Sequence, residues 1–449
     1  VNQSIEKQDA NEAISQTLSF DQALEFGIRL HHANRLEHAE KIYSQLMEIA
    51  PENADLMHFF GLLRHQRGHS AEGVTWIKKA LALAPDYVDA ENNLGNIYLQ
   101  TGQFELAETC FRRVLEFNPN FVAAHGNLGL VLRHLNRFED AIQSLLRAID
   151  LEPDAAHHYQ NLGNVYRNLG EYHQAISLYR KSLMLKPFDA EAYSKLCRTL
   201  YLLGDIDQCR DTLKEWLADD PENPTARHMY SAYTRDNIPS RASDAYVRET
   251  FDRFAACFDG TLNRLDYQAP YLVNRTLQQI GRDTCEWHLL DAGCGTGLFG
   301  ALVRSLVKRL DGVDLSPKML ERAQARNVYD DLFEAELTGF LSTNESVYDG
   351  ISCVDTLCYF GDLTAVVREA ANALKPKGWF IFTVEKQEET EPDEGFRLNL
   401  HGRYSHTQAY LSNVLSHAGF VVQRLSVEVL RMESGVPVMG FVVSAQAQV

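Results

Sequence analysis

AENNLGNIYLQTGQFELAETCFRRVLEFNPN, residues Ala90–Asn120, sets a glycine at Gly95, an alanine at Ala107, an aromatic at Phe111 and a proline at Pro119. The same residue types return at one constant step in both directions. Prolines stand at Pro51, Pro85, Pro119, Pro153, Pro187 and Pro221. A small column runs Gly27, Gly61, Gly95, Gly129, Gly163 and Cys197, and a second small column runs Ala39, Gly73, Ala107, Ala141, Ala175 and Cys209. A bulky column runs Tyr43, Ile77, Phe111, Leu145, Tyr179 and Leu213. Small residues let two helices cross closely, and bulky ones fill the space between neighbours. Each proline ends a second helix, where its missing N–H does least harm. A period of about 34 residues suits a helix–turn–helix unit. The spacing predicts six two-helix repeats over residues 20–223, stacked as an all-α solenoid with an extended concave surface.

The array resembles the tetratricopeptide repeat family, on this stretch and on HYQNLGNVYRNLGEYHQAISLYRKSLMLKP, residues 158–187. The resemblance implies a right-handed superhelix that binds a peptide or protein. Within the first helices asparagine recurs at Asn93, Asn127 and Asn161, with further copies at Asn96 and Asn164. An amide both donates and accepts, so such a ladder can hold an extended peptide backbone without reading its sequence. The repeats of nucleocytoplasmic O-linked N-acetylglucosamine transferases look similar here. A solvated repeat consensus with no ligand fits the same recurrence.

The bulk properties exclude several classes. A formal charge of -18 argues against nucleic acid as the partner, because phosphate binding needs clustered Lys and Arg. The eight cysteines are scattered, without paired spacing, as expected of ordinary thiols in a reducing compartment. No apolar run reaches the roughly 20 residues of a membrane span, and the polar segment 1–19 lacks the apolar core of a signal peptide. A cytoplasmic location is expected.

After Pro221 the period fades, and residues 224–243 read as a linker. Phe251, Phe254 and Phe258 then recur at helical spacing, which suits core packing, and Phe258 with Tyr267 could fold over a cofactor pocket as a lid. From residue 288 strands and helices alternate: HLLDAGCGTG (288–297), RLDGVDLS (309–316), YDGISCVD (348–355) and WFIFTVEK (379–386). This predicts an α/β, Rossmann-like, mostly parallel sheet that binds its ligand at the carboxyl ends of the strands. Gly293, Gly295 and Gly297 form a turn in which backbone can approach a nucleotide, and Asp291 precedes them. Asp314-Leu315 ends the next strand, where a carboxylate can receive two ribose hydroxyls. Glu336-Leu337 falls where it can reach an adenine edge, and Asp355 ends a fourth strand.

These residues resemble the class I S-adenosylmethionine-dependent methyltransferases, whose first motif matches Asp291, Gly293, Gly295 and Gly297 and whose ribose-binding acid matches Asp314. Glu336 stands where the family more often has Asp. LKPKGWFIFTVE, residues 374–385, matches the family's turn and fifth strand. GVDLSPKMLERAQARNVYDDL (312–332) and GFRLNLHGRYSHTQAYLSNVLSHAGF (395–420) look like a bacterial group of repeat-fused methyltransferases. The resemblance implies a seven-stranded sheet over residues 244–449, closed by a terminal hairpin, with S-adenosylmethionine as cofactor and no metal. An NAD-binding Rossmann enzyme would place its third glycine one residue later.

An activated methyl group needs an aligned nucleophile and exclusion of water, with a base only when the acceptor arrives protonated. The candidates are Glu385 and His406 as bases, Arg397 and Arg403 to hold a carboxylate, and Tyr404 and Tyr359 to shape the pocket; for each, a salt bridge or cap is the alternative. The expected function is a methyltransferase whose repeats recruit a peptide, a protein or a carrier of the acceptor. A non-catalytic cofactor-binding scaffold, and a small-molecule enzyme whose repeats serve assembly, are the other readings.

Overall fold

A computed structural model of the chain describes residues 19–280, 282–388, 395–433 and 435–448. Of the polar segment expected over 1–19, residues 1–18 lie outside these. The chain divides into two compact units, Val1–Cys209 and Arg210–Val449. Among the described residues no helix is long and apolar enough to cross a membrane.

First helices begin at Phe20, Ala54, Val88, Val122, Ala156 and Ala190, and second helices at Leu36, Ser70, Phe104, Phe138, Tyr172 and Ile206, so both series keep the step of the sequence columns. The small and bulky columns meet each other. A Cβ built on Gly27, Gly95 or Gly163 falls 2.7 Å from Tyr43, Phe111 or Tyr179, and one on Gly129 falls 2.5 Å from Leu145. Each of those partners is fully buried. The bulky residue therefore occupies the space that the missing side chain leaves, inside its own repeat. A further column was not anticipated: Asn34, Gly68, Gly102, Asn136, Gly170 and Gly204, all with φ between 58° and 86°, form the turn between the helices of each repeat. Only Gly and Asn take that left-handed conformation readily.

The expected linker 224–243 is instead structured. Pro224–Thr234 is a helix that starts one full repeat step after Ala190, with Pro224 in its first turn and the Asn223 side chain accepting the N–H of Ala226 at 3.0 Å. Its buried polar residue His228 lies 2.8 Å from the Gly402 carbonyl and stacks on Tyr246, which is why a polar composition gave no sign of packing. Further on, the Ser240 carbonyl accepts the N–H groups of Gly361 and Asp362, both at 2.8 Å, and Ala242 donates to the Tyr359 carbonyl at 2.8 Å.

Among the described residues, the second unit also holds one nine-stranded sheet. Strands β1 (His288–Ala292), β2 (Arg309–Asp314), β3 (Asp331–Glu334), β4 (Tyr348–Cys353) and β5 (Leu374–Lys386) are parallel in the order β3-β2-β1-β4-β5. Short strands β6 (Phe396–Leu398) and β7 (Tyr404–His406) pair with each other, and β7 pairs with the end of β5 at Glu385 and Lys386. The terminal hairpin is β8 (Phe420–Glu433) and β9 (Val436–Ala447), with β9 antiparallel to β5. The expected seven strands are thus present, and the short β6 and β7, within residues 395–420, are added to them. Order reverses between β1 and β4, which puts the switch point at the end of β1 beside the glycine turn.

Candidate cofactor and acceptor site

The glycine turn is tied to β2 from two sides. Gly293 and Cys294 donate their N–H groups to the Val313 carbonyl at 2.8 and 3.0 Å. Gly295 donates to Asp314 Oδ2 at 2.8 Å, and Ser316 donates to Asp314 Oδ1 at 2.9 Å. Burial raises the pKa of the Asp314 carboxyl, and these N–H groups oppose that shift by favouring the anion. Gly293, Gly295 and Gly297 all have positive φ. A Cβ on Gly293 would lie 2.1 Å from Thr356 Oγ1, whereas one on Gly295 would meet only Phe258, at 3.9 Å, among the described residues. Gly293 is therefore fixed by packing, and Gly295 faces an open cradle.

Asp291 lies behind the turn. It is 1 % exposed and accepts the Tyr329 hydroxyl at 2.7 Å; burial pushes its pKa up to about 7. Tyr329 also fills the space beside Gly297 and Gly300. The Phe251, Phe254 and Phe258 rings pack on one another, with Tyr359 against Phe251. Their helices, Asp244–Phe254 and Phe258–Arg264, are anchored to the cofactor loops by two acids. Asp252 accepts the Ser316 hydroxyl at 2.6 Å, and Asp259 accepts the Thr296 hydroxyl at 2.6 Å and pairs with Arg326. Arg248 Nε adds a bond to the Leu315 carbonyl at 3.3 Å. Sequence reasoning missed Tyr329, Asp252, Asp259 and Arg326; the acids flanking the phenylalanine stripe were the available sign.

Other candidates are engaged elsewhere. Glu336 accepts the N–H groups of Thr338 and Gly339 at 3.0 and 2.8 Å, capping the short helix Leu337–Ser342, and the Leu337 side chain sits in the core. Asp355, at φ 52°, accepts the Thr383 hydroxyl at 2.9 Å and Arg431 Nη1 at 2.7 Å, so it faces the hairpin rather than the glycine turn. Tyr267 is half-buried, in electrostatic reach of Asp355, Arg431 and Asp291.

Of the expected bases and carboxylate holder, Glu385 and Arg403 lie in a buried ion network. Arg403 Nε donates to Glu385 Oε1 at 2.6 Å, and its Nη2 reaches both Glu433 oxygens at 2.7 and 2.9 Å. Arg431 pairs with Glu385, Asp355 and Glu433. Burial would raise the Glu385 pKa, but Arg403 and Arg431 outweigh it and hold the carboxyl below its ordinary range. Such a group is a poor proton acceptor, and Arg403 is already engaged in two ion pairs. His406 is fully buried, with Nε2 donating to the Gly361 carbonyl at 3.0 Å; burial pushes its pKa down to about 4. The buried Tyr404 hydroxyl donates to the Pro239 carbonyl at 2.7 Å. Glu385, His406 and Tyr404 are thus each engaged by partners within the fold. Arg397 lies on β6 opposite Ser405.

In the repeats, the asparagines bond across neighbours. His58 Nε2 lies 3.0 Å from Asn93 Nδ2, Asn96 donates to Asn93 at 3.4 Å and Asn127 donates to Asn96 at 2.8 Å. Asn164 departs from the ladder, since its Oδ1 accepts the buried Tyr179 hydroxyl at 2.9 Å. Asn161 is half-buried and makes no side-chain hydrogen bond among the described residues.

Comparison with known proteins agrees with both units. A methyltransferase-domain family model matches residues 290–382, and tetratricopeptide-repeat models match 92–156, 144–177 and 168–233. Over 124 residues the chain is 30% identical to a ubiquinone biosynthesis O-methyltransferase from Albidiferax ferrireducens, covering 24% of this chain and 49% of that protein. A malonyl-[acyl-carrier protein] O-methyltransferase from Yersinia pestis is 29% identical over 147 residues, 32% of this chain and 52% of that protein. The chain thus spans about half the length of these curated relatives. A solved structure of MamA protein is 25% identical over 39% of this chain and 96% of that one, with a TM-score of 0.36. The chain carries tetratricopeptide repeats followed by a methyltransferase domain.

Proposed function

We propose that this chain transfers a methyl group from S-adenosylmethionine, and that its repeats hold the polypeptide that is methylated or that carries the acceptor. The observation that carries the catalytic part is the cradle at Gly295, open beneath Phe258 and bordered by the half-buried Asp314 carboxylate. Backbone N–H groups reach both Asp314 oxygens and fix the carboxylate's orientation, which suits receipt of two ribose hydroxyls. S-adenosylmethionine, when bound, supplies a sulfonium methyl group already activated for transfer. Phe251, Phe258 and Tyr359 would exclude water above the turn, and Tyr267 would border the acceptor side. The buried ion network around Glu385 fixes the ends of β5, β7 and β8 as a rigid wall of the same region.

Two of the relatives are named O-methyltransferases, which favours an oxygen acceptor and a second reading, a small-molecule substrate. Incubating the full chain with labelled S-adenosylmethionine, and separately with polypeptides it captures and with free phenols and carboxylic acids, distinguishes the two. Label on a captured polypeptide supports recruitment. Label on free acceptors alone defeats it.

A further inference from the structure

Three strands border the sheet with a partner on one side only, among the described residues: β3 and β6 are short, at four and three residues, whereas β8 runs for fourteen. A long edge strand presents a row of unpaired backbone N–H and C=O groups, and folded proteins commonly blunt it with Pro, Lys or a covering segment. β8 contains neither Pro nor Lys. Its last part is covered, since the Leu430 carbonyl accepts the Gln268 N–H at 2.8 Å and Met432 donates to the Leu265 carbonyl at 2.6 Å. Residues 420–429 have no such cover among the described residues. Val421, Val427 and Val429 are exposed there. Bulges, which twist an edge away from a would-be partner, fall after Val422 and after Val429. Between them, residues 424–429 stay in unbroken register with 444–439 of β9.

Arg424 and Glu428 are the charged residues of that regular stretch. Both point to the face covered by helix Ala269–Ile280: Arg424 Nη1 donates to Gln279 at 2.6 Å, and Arg275 Nη2 donates to Glu428 at 3.2 Å. Their order along the strand is self-complementary. When two copies of β8 run antiparallel about a two-fold axis at Ser426, Arg424 of each copy stands directly opposite Glu428 of the other. On the opposite face the same register sets Leu425 against Val427. No other register of this strand against itself aligns the two charges. We propose that the uncovered part of β8 pairs with β8 of a second copy of this chain, joining two sheets into one across a two-fold dimer. Main-chain hydrogen bonds supply the attraction in such an edge pairing, and the two symmetric Arg424–Glu428 pairs select the register.

Sedimentation velocity of the full chain over a concentration series should show a reversible monomer–dimer equilibrium. Arg424→Glu and Glu428→Arg each set like charges opposite one another twice, and each should raise the dimer dissociation constant by about tenfold or more. The double variant Arg424→Glu/Glu428→Arg restores opposite pairing and should return that constant to within about threefold of wild type. Ser426→Cys carries the test if a reversed variant fails to fold. Its two thiols face each other across the axis at a Cα separation of about 4.5–5.5 Å, which a disulfide spans. Oxidation with diamide should therefore give more covalent dimer than the wild type, with its exposed Cys257 and Cys285, gives under the same treatment. A wild-type chain that stays monomeric at every concentration overturns the dimer. A dimer unmoved by the single reversals, a double variant no tighter than the singles, or Ser426→Cys no more cross-linked than wild type overturns the β8 pairing.

Discussion

Gly295 donates its backbone N–H to Asp314 Oδ2 at 2.8 Å, making the turn after β1 and the end of β2 one hydrogen-bonded unit. The bond orients a glycine whose side-chain position is open toward a carboxylate at the end of the neighbouring strand.

Alanine at the two neighbouring glycines should therefore behave differently. Gly293→Ala drives a Cβ to 2.1 Å from Thr356 Oγ1, which donates to the Ala292 carbonyl, and should lower stability by more than about 2 kcal/mol. Gly295→Ala meets no such wall and should cost only the left-handed backbone term, about 1–2 kcal/mol. It should nevertheless weaken S-adenosylmethionine binding by more than about tenfold, because the methyl group enters the cradle. Thermal melting separates the two variants, and calorimetry reads the second. Unaltered affinity in Gly295→Ala would remove the cradle from the account.

Glu385→Gln should act on stability. Removing the carboxylate shared by Arg403 and Arg431 leaves buried cations undercompensated, with an expected loss of about 3 kcal/mol. Urea midpoints measure this. A variant as stable as wild type but inactive would return Glu385 to a chemical role.

Stability should also fall with mild acid. The ordinary His value is 6.5, and burial holds His406 at about 4 in the folded chain. Between those values the unfolded chain binds the proton and the folded chain does not. The contribution is therefore complete above pH 6.5 and is lost as pH falls toward 4. From pH 7 to 5 the loss from this residue is about 2 kcal/mol. His58 in the repeats, also held at about 4 by burial, acts in the same direction. His406→Phe should flatten the urea midpoint against pH; an unchanged slope would mean that the ring is already charged when folded.

Gly95→Ala tests the repeat packing. An exposed helical Gly→Ala change gains about 1 kcal/mol, but here the Cβ would fall 2.7 Å from the buried Phe111 ring. The net result should be a loss of about 1–2 kcal/mol, read by circular dichroism melting. A gain would show that Phe111 can give way.

The repeats were legible because one constant step governs three independent columns, and packing repeats with them. The same step continues through Asn223 and Pro224 into Pro224–Thr234, and one repeat model reaches residue 233, but His228 and Tyr233 are not residues that announce a core. The parallel strands were legible as apolar runs, whereas the very short β6 and β7 carry no such run. Site residues were legible where backbone demands them, as at Gly293 and Gly295. They were not where long-range pairing decides. Arg431, which neutralises Glu385 from another strand, gives no local sign of its partner, and neither does Tyr329 of its bond to Asp291. The pairing of polar residues at strand ends, as at Glu385 and Asp355, was therefore not legible in the sequence.

Calorimetric titration of S-adenosylmethionine into the wild-type chain and into Asp314→Ala tests the central claim most directly. The wild type should bind one equivalent, and the variant should bind at least about tenfold more weakly, having lost a charged acceptor for two hydroxyls. No binding to the wild type, or equal affinity in the variant, would contradict the account.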